Sequence, residues 1–245
     1  GDGVKGTVNY LEPEPYTIYN SGIHIINSQG KYVGRFGKKA KEITLQDQIV
    51  FALLEDIGLT TDQEVEDLFN PQTGSLATDD VADPEIGSGT VDNLLFYLRT
   101  LKAPTRRNET DADVISGEAL FEQIGCIKCH IPSITTAKSD IEVLSEVEIH
   151  PYTDLLLHDM GTVLDDGFPE GNAKGSQWRT PPLWGLGLAA ESQGGTMYLL
   201  HHGQASDVND VMSYHLGGEA NSAASGYFEL SSSEKDQIIK FLMSL

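Results

Sequence analysis

Cys126-Ile127-Lys128-Cys129-His130 sets two thiols three positions apart, with an imidazole directly after the second. This C-x-x-C-H spacing is the attachment signature of a c-type haem. Two thiols so separated reach both vinyl groups of one porphyrin, and the adjacent His then sits under the iron. Other chemistries also use a close cysteine pair. A thioredoxin-like redox pair follows a strand and precedes a helix, whereas here the apolar periodicity places a helix, Ser116–Ile124, before the motif. A zinc site needs a second pair of ligands, and the 245-residue chain has no further Cys. A disulfide between Cys126 and Cys129 in a haem-free scaffold is the remaining alternative.

A haem iron also takes a donor on its far side. Val208, Val211, Met212 and His215 recur at helical spacing over Asp207–Leu216, which turns the His215 imidazole toward an apolar interior. An ordinary buried core histidine gives the same pattern. Met160, a thioether in a Gly-flanked loop, is the rival ligand, with packing as its plain alternative. His201, His202 or an open position remain as further choices. Trp178-Arg179-Thr180-Pro181 reads as a haem edge, with Arg179 pairing a propionate through two parallel hydrogen bonds and Trp178 lying against the ring. The alternative is a Pro-rich turn carrying a solvated Arg. His158-Asp159 reads either as a hydrogen-bonded pair or as an ordinary surface pair, and Glu219 as part of a solvated face.

These residues need elements to hold them. Thr44 caps an expected helix running to Gly58, with Leu45, Ile49, Ala52 and Leu53 on one face. A short acidic helix is expected over Thr61–Phe69, and a solvated loop over 70–90. Val91–Leu101 carries an apolar stripe, and 102–113 is polar enough to be a domain boundary. Residues 131–206 have few helical signals and many Gly and Pro breaks, as ordered loops around a bulky group would. Ser231-Ser232-Ser233-Glu234 is a capping box opening a last helix with Ile238, Phe241, Leu242 and Leu245 on one face. The first 40 residues read as loops with one hairpin, including the alternating run Ile23-His24-Ile25-Ile26. The expected fold is mainly α: a c-type cytochrome-like helical domain with long ordered loops (111–245), preceded by a partial cytochrome-like region (1–110).

A net charge of −21 argues against nucleic acid or an anionic membrane surface as partner. No apolar run reaches the roughly 18 residues of a membrane-spanning helix.

Several further segments resemble one family. Gly117-Glu118-Ala119-Leu120-Phe121 with the haem motif is similar to the second haem domain of bacterial di-haem cytochrome c peroxidases. Tyr152 through Gly161, Trp178 through Gly187, and Tyr214-His215-Leu216-Gly217-Gly218-Glu219-Ala220 resemble the related di-haem oxidoreductase branch often labelled "thiol oxidoreductase". Gly34-Arg35-Phe36-Gly37-Lys38-Lys39-Ala40 and Leu54-Glu55-Asp56-Ile57-Gly58 fit the same branch. The resemblance implies a periplasmic or otherwise exported oxidoreductase, with peroxide as a candidate substrate and a small electron-donor protein or a quinol-linked donor as partner. It places His215 where the peroxidases hold the distal Met of their electron-transfer haem. It matches Gln48 and Asp56 to the Gln and acidic residue over the peroxide-binding haem, with Asp standing for the usual Glu. Relatives carry an earlier C-x-x-C-H for a first haem. One haem c is therefore expected in this chain and a second in the full-length protein, and the chain alone is expected to be weak as a peroxidase.

Overall fold

The computed structural model describes residues 3–12, 26–76, 79 and 81–245. The chain divides into two compact units, Val8–Lys102 and Gly1–Thr7 with Ala103–Leu245.

In the unit Val8–Lys102, β1 (Tyr10–Leu11) pairs antiparallel with β2 (Tyr32–Val33), Tyr10 opposite Val33. Of the alternating run expected nearby, Ile26 bridges Tyr32, and residues 23–25 lie outside the described residues. Helix α1 (Leu45–Ala52) begins at Thr44. The Thr44 hydroxyl accepts from the Asp47 amide while the Asp47 carboxylate accepts from the Thr44 amide, so two end donors are satisfied reciprocally. The helix then widens into a π-turn, Leu53–Ile57, which stops at Gly58 in the left-handed region (φ 76°). Helix α2 (Ser88–Thr100) sets Val91, Leu94, Leu95 and Leu98 against Ile49 and Val50 of α1.

The expected helix over Thr61–Phe69 does not form. The Thr61 hydroxyl accepts from the Gln63 and Glu64 amides, a local bond that competes with helical pairing. Thr61 also bridges Ile86, and Asp62, Glu64, Glu66 and Asp67 would repel one another at helical spacing.

In the other unit, α3 (Ala112–Gln123) starts four residues before the point that apolar periodicity marks. Its cap is Asp111, whose carboxylate accepts from the Asp113 and Val114 amides. Next come two small antiparallel pairs, β3 (Ile134–Thr135) with β4 (Glu148–Ile149) and β5 (Leu157–Asp159) with β6 (Gln177–Arg179). A single turn, α4 (Ala189–Ser192), precedes α5 (Val208–Tyr214), α6 (Asn221–Glu229) and α7 (Ser232–Ser244). The expected capping box opens α7: Ser231 accepts from the Glu234 amide, and the Glu234 carboxylate accepts from the Ser231 amide. The core joins Val114 and Phe121 of α3 to Ile238, Phe241 and Leu242 of α7, with Val208, Met212, Ala224 and Tyr227 from α5 and α6. Gly117 permits this packing, since a Cβ there would overlap the Gln237 carbonyl of α7.

The mainly α expectation is corrected by these elements. The structure is 35% helix and 11% strand, a mixed fold with several small sheets and much loop. The reason lies in residues 131–206, where Pro residues and glycines with left-handed φ, Gly161 (79°) and Gly185 (80°) among them, turn the chain before a helix can propagate. Among the described residues no helix is long and apolar enough to cross a membrane.

Candidate functional site

Helix α3 delivers the cysteine motif. Its last turn ends at Ile124, Gly125 takes a left-handed conformation (φ 90°), and Cys126–Lys128 forms one 3-10 turn. The Cys129 and His130 amides both donate to the Cys126 carbonyl, at 3.3 and 3.0 Å. The motif is thus a closed turn, with both thiols free.

This turn forms one wall of a cavity of about 320 Å³ inside the unit Gly1–Thr7 with Ala103–Leu245. Cys126 and His130 line it on that side. The β5–β6 pair supplies His158, Trp178 and Arg179, Met160 follows β5 directly, and α5 supplies Val208, Val211 and Met212 with His215 at its C-cap. His201 and His202 line it as well. The apolar stripe read from α5 therefore faces this space.

His130 Nδ1 lies 3.0 Å from the Tyr152 carbonyl oxygen. A carbonyl only accepts, so Nδ1 carries the proton and donates, and Nε2 keeps its lone pair. Burial pushes the His130 pKa down to about 4 against the effect of that hydrogen bond, so the ring is neutral. His215 has the same arrangement. Its Nδ1 donates to the Val211 carbonyl at 2.8 Å, and burial lowers its pKa. Two neutral imidazoles with fixed tautomers thus line one apolar cavity, the state in which imidazole ligates a metal. Met160 is held through its amide, which donates to Ser176, and lines the same space.

Cys126 is half-buried, and desolvation pushes its thiol up to about 12. Cys129 is placed differently, with Sγ 3.7 Å from His158 Nδ1. Trp178 stacks on His201 (centroids 5.0 Å apart, planes 15°), and its indole N–H donates to the Leu164 carbonyl at 2.7 Å. Arg179 is half-buried on β6, and burial lowers its pKa. Gln48 and Asp56 belong to the other unit, where Gln48 is half-buried on α1 and Asp56 is exposed in the π-turn.

The residues fit a haem. A largely apolar cavity beside a cysteine pair, with neutral imidazoles lining it, meets the needs of an iron that the porphyrin already holds. A protein-only zinc site is not built, because among the described residues no three His, Cys, Asp or Glu side chains converge as a ligand set. The redox-pair alternative also lacks its setting, since α3 precedes the motif and a loop follows it.

Sequence reasoning missed the clamp around His158. Its ring is 3% exposed, with Nε2 2.8 Å from Asp154 Oδ2 and Nδ1 3.0 Å from Glu219 Oε2. Asp159, its neighbour in sequence, is not its partner, and Glu219 is no solvated side chain. Glu219 also accepts from the Asp159 and Lys5 amides. Burial works against the His158 cation, but hydrogen bonds to Asp154, Cys129 and Glu219 outweigh it and push the pKa up to about 11. The i,i+4 spacing to Asp154 was a usable signal, whereas Glu219 lies 61 residues away.

Comparison with curated proteins and with solved structures gives no match. The family described as "Di-haem oxidoreductase, putative peroxidase" matches residues 21–245. With that match running over most of its length and through the haem motif, the chain belongs to the di-haem oxidoreductase family.

Proposed function

We propose that this chain transfers electrons through one covalently attached c-type haem, as part of a di-haem oxidoreductase of the periplasm or cell envelope. The observation that carries the reading is the cavity onto which Cys126, His130 and His215 open, with both imidazoles neutral and their Nδ1 protons already committed. When bound, the haem supplies a one-electron redox centre whose potential depends on axial donor and burial. Cys126 and Cys129 anchor it. His130 through Nε2, and His215 with Met160 as its alternative, would be the donors to its iron. Trp178 covers an edge, and Arg179 is the cation for a propionate. The apolar wall from α5 keeps water away.

Peroxide reduction belongs, in this reading, to the full-length protein with its second haem. Gln48 and Asp56 would serve that haem, the carboxylate moving a proton between peroxide oxygens. The electrons come from a small donor protein or a quinol-linked donor.

The test is expression in an exporting, haem-maturing host, read by intact mass and pyridine-haemochrome spectrum. The wild type should gain the mass of one haem, and the Cys126→Ala/Cys129→Ala variant should not. An unmodified wild type, or an adduct that survives the double substitution, overturns the reading. A non-catalytic electron-transfer cytochrome is the second reading, and peroxide-dependent oxidation of a reduced donor by the full-length protein excludes it.

A further inference from the structure

The hydrogen bond that holds His130 does not end at Tyr152. Tyr152 is buried, and its backbone adopts φ 54°, a left-handed conformation that a bulky aromatic rarely takes. Such a conformation persists only where its surroundings over-determine it. Three sets of contacts do so. The amides that follow it bind the cysteine motif and the residue after it, Asp154 to the Cys129 carbonyl (2.8 Å) and Thr153 to the Ile131 carbonyl (3.0 Å). The phenol ring packs edge-on against Phe241 (centroids 5.5 Å) and Phe121 (6.5 Å). Its hydroxyl donates to Glu118 Oε1 at 2.6 Å.

Glu118 is fixed in turn. Arg106 grips it with both arms of its guanidinium, Nη2 to Oε2 at 2.7 Å and Nη1 to Oε1 at 3.2 Å. The same Nη1 reaches the Tyr152 hydroxyl at 3.4 Å, and the guanidinium lies over the Phe241 ring at 5.2 Å. The carboxylate end of this chain is partly exposed, while the carbonyl end meets the imidazole in the cavity wall. A bidentate Arg–carboxylate pair is a stiff anchor, because its planar fork admits one orientation.

We infer that Arg106, Glu118 and Tyr152 form a positioning chain that sets the strength of the His130 Nδ1–H hydrogen bond and so tunes the haem that His130 holds. The inference rests on the proposed haem attachment. The physical link is ligand basicity. A strong bond from Nδ1–H to a well-aimed carbonyl pushes electron density onto Nε2, which favours the oxidised metal. When the phenol loses its anchor, the strained carbonyl is free to turn away. Nε2 then donates less, and the reduced state gains. None of the three side chains is assigned contact with substrate, so they position and do not catalyse.

The test uses the haem-loaded protein and reads the midpoint potential together with the g-values of the low-spin ferric haem. Tyr152→Phe and Glu118→Ala should keep covalent haem and shift the potential positive. Glu118→Gln, which keeps an oxygen to accept from the phenol, should shift it less. Thr44→Ala, which removes the cap of α1 in the unit Val8–Lys102, is the control for general destabilisation and should leave potential and g-values unchanged. Potentials and g-values of Tyr152→Phe and Glu118→Ala matching the control overturn the inference while the haem reading stands. A wild type without covalent haem overturns the haem reading, and the inference with it.

Discussion

Replacing His158 with Gln removes the cation held between the Asp154 and Glu219 carboxylates. His158 is buried between Oδ2 of Asp154 at 2.8 Å and Oε2 of Glu219 at 3.0 Å. Gln carries no charge and lacks the two opposed ring nitrogens, so the carboxylates are left to repel each other in a poorly solvated place. Removing one partner of a buried ion cluster costs about 3–5 kcal/mol. Backbone amides still serve both acids: Leu156 donates to Asp154, and Lys5 and Asp159 donate to Glu219. The expectation is therefore the lower end, about 3 kcal/mol. In a protein of this size that lowers Tm by about 6–12 °C. Thermal and urea unfolding followed by circular dichroism measure it, in wild type, His158→Gln and the triple variant Asp154→Asn/His158→Gln/Glu219→Gln. Neutralising both acids removes the repulsion, so the triple variant should regain more than half of the loss. The pH dependence has a definite sign. Because the folded pKa is raised to about 11 from 6.5, the contribution is complete below about pH 6.5 and is lost as pH rises toward 11. A loss under about 1 kcal/mol for His158→Gln, or a triple variant no more stable than the single one, refutes the clamp.

Glu42 gives the same sign in a lower pH window. Burial, with a smaller push from Asp47 and against the pull of Lys41, raises its pKa from 4.5 to about 7. The folded state thus holds a proton that the unfolded chain releases, and stability falls as pH climbs from about 4.5 to 7. Glu42→Gln should flatten that fall by about 2 kcal/mol in urea titrations at the two pH values, and an unchanged pH slope counts against it. Gly117→Ala should cost about 1–3 kcal/mol by forcing α3 off the Gln237 carbonyl, read as a lower urea midpoint; a neutral substitution would show that the helices do not meet there. In the haem-loaded protein, His215→Ala should convert the ferric spectrum from low to high spin while Met160→Ala leaves it low spin. The reverse pattern makes Met160 the ligand.

Much of the site was legible locally. The C-x-x-C-H spacing, the α5 stripe ending at His215, the Thr44 cap and the Ser231–Glu234 capping box are short-range patterns. Their meaning depends on residues a few positions apart, so the chain carries them without its fold. Composition misled where the loops dominate: apolar periodicity marked helices, and the mixed fold came from the Gly and Pro breaks between them. The acidic segment after Thr61 failed as a helix because a side-chain hydrogen bond and a bridge to Ile86 offered its backbone other partners. Tertiary structure alone decided the long-range pairings. Glu219 became the second hand on His158 across 61 residues, and the Tyr152 carbonyl became the acceptor for His130 across 22. Neither is written in any periodicity, because a hydrogen bond is specified by where two atoms meet, and loops with left-handed turns bring them there. The sequence by itself determined which groups were available for haem chemistry. Only the packed chain decided which proton each imidazole keeps and which carboxylates hold a buried charge, because both depend on the partners that burial leaves within reach.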